Sequence, residues 1–255
     1  MNEHPTPLRQ LRCLTSADRT LPDFLIIGAQ KSGSTALAVN LGLHPDVHMA
    51  GGNRPIETHF FDSKWDQGLE WYRKWFPAGD KLQAEKTPNY LPENRCHARM
   101  AEVVPHAKLI IALRNPVDRA FSAWNHFNQA YENTRLWGWE IMPFDEAIQS
   151  EVPSLRTLIR FGEYIKHIRH LLRFYPRQSI HILIAERLMF DRVNEYAKIL
   201  DFLGLRQTEV PFRNAHVRQY AETMDPILRE KLGDYFAPFN AELASFLGDP
   251  LPEWQ

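Results

Sequence analysis

Short aliphatic runs alternate along the chain with longer segments whose apolar residues recur at helical spacing. The first run, Phe24–Gly28, is nearly continuous, which is typical of a parallel strand buried on both faces. Because strands alternate with helices, the pattern predicts an α/β fold whose mostly parallel central sheet has helices on both faces. The predicted strands are Phe24–Gly28, 47–50, Leu82–Lys86, Lys108–Leu113 and 179–184.

Prolines and apolar stripes define the predicted helices. The helix after the first strand is predicted to end near His44, since Pro45 disfavours helical geometry in the residue before it. Asn115 is a candidate N-cap, and Pro238 is predicted to interrupt the last helix. Residues 132–152 have weak periodicity, which predicts an irregular insertion bordering the substrate. The other predicted helices cover 92–104, 116–131, 164–175, 193–203 and 228–246.

Residues 60–76 contain a dense group of aromatic side chains, which requires a large buried surface or a wall facing a ligand. Core packing is the interpretation that we favour for most of them. Trp137 and Trp139 add a second aromatic group within the predicted insertion.

The amino-acid composition and the net charge limit the kinds of partner that the chain is expected to bind. Hydrophobic residues make up 44% of the 255 residues, and 30 basic side chains balance 31 acidic ones, so a packed core is expected. The formal net charge of −1 gives no general attraction to nucleic acid or to a membrane surface. If the chain binds an anion, basic side chains at the binding site must therefore attract it, because the net charge does not. No feature of the sequence specifies an oligomeric state.

We expect residues 1–20 to form a flexible N-terminal arm and residues 21–255 to form a single domain, since no later segment has the composition of a linker. The arm lacks an apolar signal core, and no later run reaches membrane-spanning length. Cys13 and Cys96 are far apart in sequence, which fits free thiols in a reducing compartment. The sequence therefore predicts a cytoplasmic protein.

The segment 25–35 has the composition of a strand, a glycine-bracketed turn and the start of a helix. Such a turn leaves backbone N–H groups without partners at a helix N-terminus, where the helix dipole favours negative charge. Gly28 and Gly33 permit backbone angles that other residues avoid and let an anion approach closely. We interpret this turn as a binding site for a phosphate group.

The spacing of this turn differs from that of the nucleotide triphosphate loop G-x-x-x-x-G-K-[ST]. Gly28 and Gly33 keep the glycine spacing, but Ser34 stands where the lysine belongs, and the lysine is Lys31. The strand Lys108–Leu113 is followed by Arg114, which would repel Mg²⁺ and attract a second phosphate. A P-loop kinase or hydrolase with a degenerate loop stays an alternative, as does a nucleotide-binding protein without catalysis.

Four stretches, in this order, resemble motifs of the sulfotransferases that use 3'-phosphoadenosine 5'-phosphosulfate. GAQKSGST at 28–35 is similar to their 5'-phosphosulfate loop, and LRNPVDRAFSAW at 113–124 is similar to their 3'-phosphate motif. PIETHFFD at 55–62 and EKTPNY at 85–90 resemble segments of the branch that contains the heparan sulfate and many bacterial sulfotransferases. The resemblance extends over nearly the whole chain.

The resemblance implies transfer of a sulfuryl group to a hydroxyl or amine by in-line displacement, without a required metal. In that branch a glutamate at the position of Glu57 is the general base, with His59 as the alternative base or a positioning residue. Lys31 and Lys86 are expected to lie near the transferred group, and Glu85 to pair with a basic residue.

The same resemblance assigns the donor site. Arg114 and Ser122 are expected to hold the 3'-phosphate, and Arg119 either shares the face of Ser122 or is solvated. Tyr164 resembles a position near the nucleotide, although it also belongs to an apolar helical stripe. The late phosphate loop of the family has no close counterpart, and Arg218 in HVRQ is the nearest candidate. The predicted donor-binding residues are Lys31, Ser32, Gly33, Ser34, Thr35, Ala36, Arg114, Ser122, Tyr164 and Arg218.

The acceptor follows least directly from the sequence. A polyanionic glycan would need a strongly basic groove, whereas the charges here are balanced. The aromatic groups would suit a smaller, partly apolar acceptor such as a secondary metabolite. We therefore expect a small molecule.

Overall fold

A computed structural model describes residues 21–134, 142–208 and 223–254. The predicted arm at 1–20 and the candidate residues Trp137, Trp139 and Arg218 lie outside the described residues. The assignment of 21–255 to a single domain stays a prediction. Among the helices that these ranges contain, none combines the length and the apolar character that crossing a bilayer requires.

The described residues form a five-stranded parallel sheet, which confirms the predicted fold class. The strand order is β2-β3-β1-β4-β5, so the first strand lies in the middle and the chain proceeds from it in both directions. Loops that follow parallel strands on either side of such a switch point enclose a crevice at the carboxyl edge of the sheet. The strands are β1 Phe24–Gly28, β2 Val47–Met49, β3 Leu82–Lys86, β4 Lys108–Leu113 and β5 Ile180–Ile184.

Helices surround this sheet, and most of them correspond to predicted segments. The described residues also contain short 3₁₀ turns at Trp65–Gln67, Arg177–Ser179 and Pro252–Trp254. The helices are α1 Ser34–Leu41, α2 Leu69–Arg73, α3 Asn94–Val103, α4 Pro116–Thr134, α5 Phe144–Gln149, α6 Pro153–Arg160, α7 Tyr164–Leu171, α8 Arg187–Phe190, α9 Arg192–Leu203 and α10 Pro226–Leu247.

Alternate residues of the central strands enter two different apolar cores. Leu25 and Ile27 belong to a core that includes side chains of α3, α7 and α10, whereas Phe24 and Ile26 belong to a core with side chains of α1 and α9. Successive side chains of a strand point to opposite faces, so both faces of β1 are covered. This is why the run is continuously apolar rather than alternating.

The aromatic residues between 60 and 76 pack mainly in the first of these cores. Phe60 stacks on Tyr72, with ring centroids 4.2 Å apart, and Phe61, Tyr90 and Phe76 are buried with them. Core packing is therefore confirmed for these side chains.

Two predictions about helices are wrong. The predicted irregular insertion at 132–152 contains α5 within its described part. The predicted interruption at Pro238 does not occur, because α10 continues through this residue. Pro238 is exposed while Phe236 and Leu243 are buried, so the carbonyl that loses its partner faces water and the packed face of the helix stays intact.

A third apolar cluster joins α4, α5, α6 and α10, and Gly162 is at its edge. A Cβ atom on Gly162 would be 2.9 Å from the ring of Phe236 and 3.0 Å from Pro116 Cβ. This close approach fixes the position of the turn that leads into α7. The absence of a side chain at residue 162 thus controls how α4 and α10 pack around the turn.

We predict that Gly162→Ala destabilises the protein by about 1–3 kcal/mol, the usual cost of inserting atoms into a packed core. Chemical unfolding measured by circular dichroism gives this free energy.

Gly233→Ala is the matched control, since a Cβ atom there meets no atom within 4 Å and the residue is inside α10. Alanine favours a helix interior by about 0.5–1 kcal/mol over glycine, so this variant should be more stable than the wild type. Equal effects of the two substitutions would contradict the packing argument.

Candidate active site

The turn after β1 lies between the ends of β3 and β4, because β1 pairs with both strands. This topology brings Lys31 between Lys86, which ends β3, and Arg114, which follows β4. Residues 54–62, which follow β2, complete the same edge of the sheet. Lys31, Lys86, Arg114 and the segment that contains Glu57 and His59 therefore meet at one edge of the sheet.

The geometry of the turn is suited to an anion. Gly33 has φ of 82° and precedes α1, and Lys31 also adopts a positive φ of 69°. The first described backbone bond of α1 runs from Leu37 N to Gly33 O at 3.0 Å, and Gly33 provides no side-chain cap. The amides of the first turn of α1 thus have no partner within the helix and face the turn, as a phosphate site requires.

Gly28 allows the segment after β3 to pack against the turn. A Cβ atom at residue 28 would be only 2.6 Å from Leu91 Cβ. Leu91 N donates to Ile27 O at 2.9 Å, and Ala29 N donates to Ala112 O at 2.7 Å. These bonds hold the turn to the strands on both sides of β1.

Lys86 joins the predicted base to this turn. Its Nζ donates to Glu57 Oε1 at 2.5 Å and to Thr35 Oγ1 at 3.0 Å, and its side chain is only 4% exposed. Glu57 remains about one-third exposed, so its carboxylate can meet a molecule from solvent while it contacts the buried ammonium. The carboxylate and the start of α1 are therefore linked through one lysine.

His59 lies between two carboxylates. Its Nε2 is 3.2 Å from Glu57 Oε2, and its Nδ1 is 2.8 Å from Asp62 Oδ2. The hydrogen bonds to Asp62 and then to Glu57 raise the pKa of His59 to about 9. Its backbone φ of 53° is unusual for a residue other than glycine. The contact with Asp62 orients the imidazole ring.

The charges of this group identify which side chain can accept a proton. Burial raises the pKa of Glu57, but the hydrogen bonds from His59 and Lys86 and their charges outweigh burial and hold the pKa below its ordinary value. At neutral pH Glu57 is therefore a carboxylate, whereas His59 is protonated and is a donor. Of the two side chains, Glu57 can therefore accept a proton at neutral pH, whereas His59 can donate one.

Glu85 is completely buried, and the expectation that it pairs with a basic residue is wrong for the described part of the chain, where its recorded partners are hydroxyl groups. Its carboxylate accepts hydrogen bonds from Thr58 Oγ1, from Tyr72 OH at 2.5 Å and from Thr87 Oγ1 at 3.3 Å. Burial raises the pKa of Glu85 to about 7, although these hydroxyl donors lower it. Lys86 points to the opposite side of β3, which is why a cation one residue away does not pair with Glu85.

Arg114 is half-buried beside the turn. Its Nη1 donates to Lys31 O at 3.5 Å, and Tyr164 OH donates to Arg114 O at 2.8 Å. Ser122 is buried on α4, whose first turn is capped by Asn115 Oδ1 accepting from Val117 N at 3.0 Å. The structure thus brings together the turn, the predicted 3'-phosphate arginine and Tyr164.

Some residues of the site were not predicted from sequence. Asp62, the partner of His59, is a residue of the PIETHFFD segment for which no role is predicted, although the i, i+3 spacing of the two residues is a usable signal. The hydroxyl donors around Glu85 gave no signal, because Thr58 and Tyr72 are far from it in sequence. Arg119 proves to be fully buried and not solvated.

Comparison with known proteins agrees with this arrangement. A sequence model of the sulfotransferase domain matches residues 21–234. Human heparan sulfate glucosamine 3-O-sulfotransferase 3B1 is 34% identical over 194 residues, covering 75% of this chain and 48% of that protein. Human bifunctional heparan sulfate N-deacetylase/N-sulfotransferase 3 is 28% identical, covering 99% of this chain and 33% of that protein. The chain thus spans half or less of the length of these two relatives.

A solved structure of a sulfotransferase from Alicyclobacillus acidocaldarius superposes with a TM-score of 0.77 at 27% identity. The match covers 92% of this chain and 98% of the bacterial one. The domain from the curacin biosynthetic pathway has the same fold, with a TM-score of 0.56 at 18% identity.

The raised pKa of His59 generates a prediction about stability. Because its pKa in the folded protein exceeds the ordinary value of 6.5, the protonated ring stabilises the fold below about pH 6.5, and this contribution is lost as the pH rises through about 9. His59→Asn, which tolerates the positive φ, should therefore cost most stability near pH 6 and little above pH 9. Urea unfolding of both proteins across this range measures the difference.

Asp62→Asn is the companion variant, since it removes the largest cause of the shift. In the Asp62→Asn background, the stabilisation that His59 provides should be lost at a lower pH than in the wild type. A cost of His59→Asn that does not change with pH would show that the ring is not held as a cation.

Proposed function

The chain belongs to the sulfotransferase family, and on this premise we propose that it transfers a sulfuryl group from 3'-phosphoadenosine 5'-phosphosulfate to a hydroxyl or amine, with Glu57 as general base. The observation that carries the proposal is the position of Lys86, whose ammonium contacts both Glu57 and Thr35. A proton acceptor is thereby held beside the helix start that suits the phosphosulfate. The kinase or hydrolase alternative gains no support from the family match.

The residues present fit this donor, because the crevice has two groups of donors and cations that suit anions. The amides of the first turn of α1, with Lys31 and the hydroxyls of Ser34 and Thr35, would hold the 5'-phosphosulfate. The Arg114 guanidinium and the Ser122 hydroxyl would hold the 3'-phosphate, for which a planar fork of donors is suited. Arg218 stays a prediction.

The chemistry that we propose is a single in-line displacement. Glu57 accepts the proton of the acceptor group as the new bond to sulfur forms, which typically contributes about 10²- to 10⁴-fold to the rate. The ammonium groups of Lys31 and Lys86 stabilise the negative charge that develops on the phosphate oxygen as the old sulfur–oxygen bond breaks. His59, held by Asp62, keeps the Glu57 carboxylate oriented toward the acceptor.

For the acceptor we propose a small molecule, and its support is the balanced charge of the chain. The aromatic residues at 60–76 no longer support an apolar acceptor, because those described above are packed in the core. The curated relatives are named for heparan sulfate, so a glucosamine-containing oligosaccharide is the acceptor to compare. A panel of metabolites, lipids and heparan oligosaccharides, read by mass spectrometry for added sulfate, separates these classes. A cytoplasmic location likewise stays our proposal.

We predict that the purified chain binds adenosine 3',5'-bisphosphate in calorimetry and transfers radiolabelled sulfate from the donor. Glu57→Gln should lower turnover by about 10²- to 10⁴-fold, because the amide cannot accept the proton, while the affinity for the bisphosphate changes little. Single-turnover measurements with the labelled donor isolate the chemical step.

Glu70→Gln is the control, since the Glu70 side chain is 85% exposed and lies on α2. Its turnover should equal that of the wild type. Absence of bisphosphate binding would refute the proposed function. Bisphosphate binding without any transfer of sulfate would favour the non-catalytic alternative, and unchanged turnover of Glu57→Gln would remove Glu57 as base.

A further inference from the structure

Arg119 is a buried cation for which the described residues provide no counter-ion. It lies on α4 and its side chain is among the largest that are fully buried, with 0% exposure. No carboxylate in the described ranges pairs with it. The neighbouring carboxylate in sequence, Asp118, pairs instead with the exposed Arg229 of α10. A buried charge without a partner is rare in folded proteins and normally requires compensation.

The hydrogen bonds of Arg119 use only one part of its guanidinium. Nη2 donates to Leu158 O and, at 3.5 Å, to Thr157 O, both near the end of α6. Nε and Nη1 are buried, and within the described part of the chain neither has a hydrogen-bond partner. Burying an N–H donor without a hydrogen-bond partner costs free energy of folding. The presence of two such donors therefore indicates that they serve a group that the chain alone does not contain.

The location of Arg119 identifies that group. Ser122 is three residues later on α4, so the two side chains share one face of the helix. Burial, and then the positive charge of Arg114, lowers the pKa of Arg119 to about 10, while Tyr164 has the opposite effect. The Tyr164 hydroxyl in turn contacts the backbone of Arg114. Arg119 is thus close enough to Arg114 for the two positive charges to repel each other, and it shares a helix face with Ser122, beside the region assigned to the 3'-phosphate.

We propose that Arg119 is a further binding residue of the donor, supplying from the interior of the helix layer a second positive charge for the 3'-phosphate. The inference rests on the proposed function, since that phosphate belongs to the proposed donor. When the site is filled, the phosphate compensates the repulsion between Arg114 and Arg119. Arg119 thereby makes the site selective for a nucleotide that is phosphorylated at the 3' position.

The test compares two ligands that differ only in this phosphate, adenosine 3',5'-bisphosphate and adenosine 5'-monophosphate. Arg119→Met should lower the affinity for the bisphosphate by about 10- to 100-fold, as expected for losing hydrogen bonds to a charged group. It should change the affinity for the monophosphate by less than about twofold. Calorimetry with the full chain measures both. Arg156→Met is the control, because this arginine is half-exposed on α6, and it should leave both affinities unchanged.

Each outcome decides the proposal. Equal losses for the two ligands would show that Arg119 only supports the fold through α6, and no loss would show that its charge does not reach the phosphate. If Arg119→Met does not fold, Arg119→Lys replaces it, with a smaller loss that is again confined to the bisphosphate. Wild-type protein that binds neither ligand would refute the proposed function instead.

Discussion

The contact between the Lys86 ammonium and the Glu57 carboxylate is the interaction on which the arrangement of the site depends. The two oppositely charged groups are 2.5 Å apart, and the lysine is nearly buried, so the pair is stronger than one on an open surface. A buried lysine without this partner would be strongly disfavoured. The need to neutralise Lys86 therefore holds the segment after β2 against the end of β3, and Thr35 extends the same link to α1.

The carboxylate of Glu85 supports this contact from the other side of β3. Hydroxyl groups of the residues that flank the site, Thr58 and Thr87, converge on it, and Thr87 Oγ1 also accepts from the backbone of His59 at 3.4 Å. Because side chains alternate along a strand, one dipeptide directs a carboxylate into the interior and an ammonium into the crevice. The turn that carries Glu57 and His59 is consequently fixed on both sides, which is the preorganisation that proton transfer and charge stabilisation require.

The sequence predicts those features that depend on local pattern. The central strands, the turn at 28–35 and the N-cap at Asn115 all follow from short runs of residues, and the structure has them within a few positions. Features that depend on residues distant in sequence were missed. The neighbours of Glu85 come from three separate segments, and the continuation of α10 through Pro238 depends on packing of Phe236 and Leu243. Local propensity cannot reveal such contacts, because tertiary burial overrides it.

The distribution of charge in the crevice is compatible with the anionic donor that we propose, although the chain as a whole is nearly neutral. On the side of β3, each of the cations Lys86 and His59 contacts a carboxylate, so that half of the crevice is close to neutral and is suited to proton transfer. On the side of β4, Arg114 and Arg119 lie near each other, and within the described ranges no ion pair compensates Arg119. Local cations act over a Debye length of about 10 Å, whereas the net charge of −1 has little influence at that range. The uncompensated positive charge is therefore on the side of β4, where we propose that the 3'-phosphate binds, whereas Glu57, the proposed base, lies on the side of β3, where the positive charges of Lys86 and His59 keep it ionised.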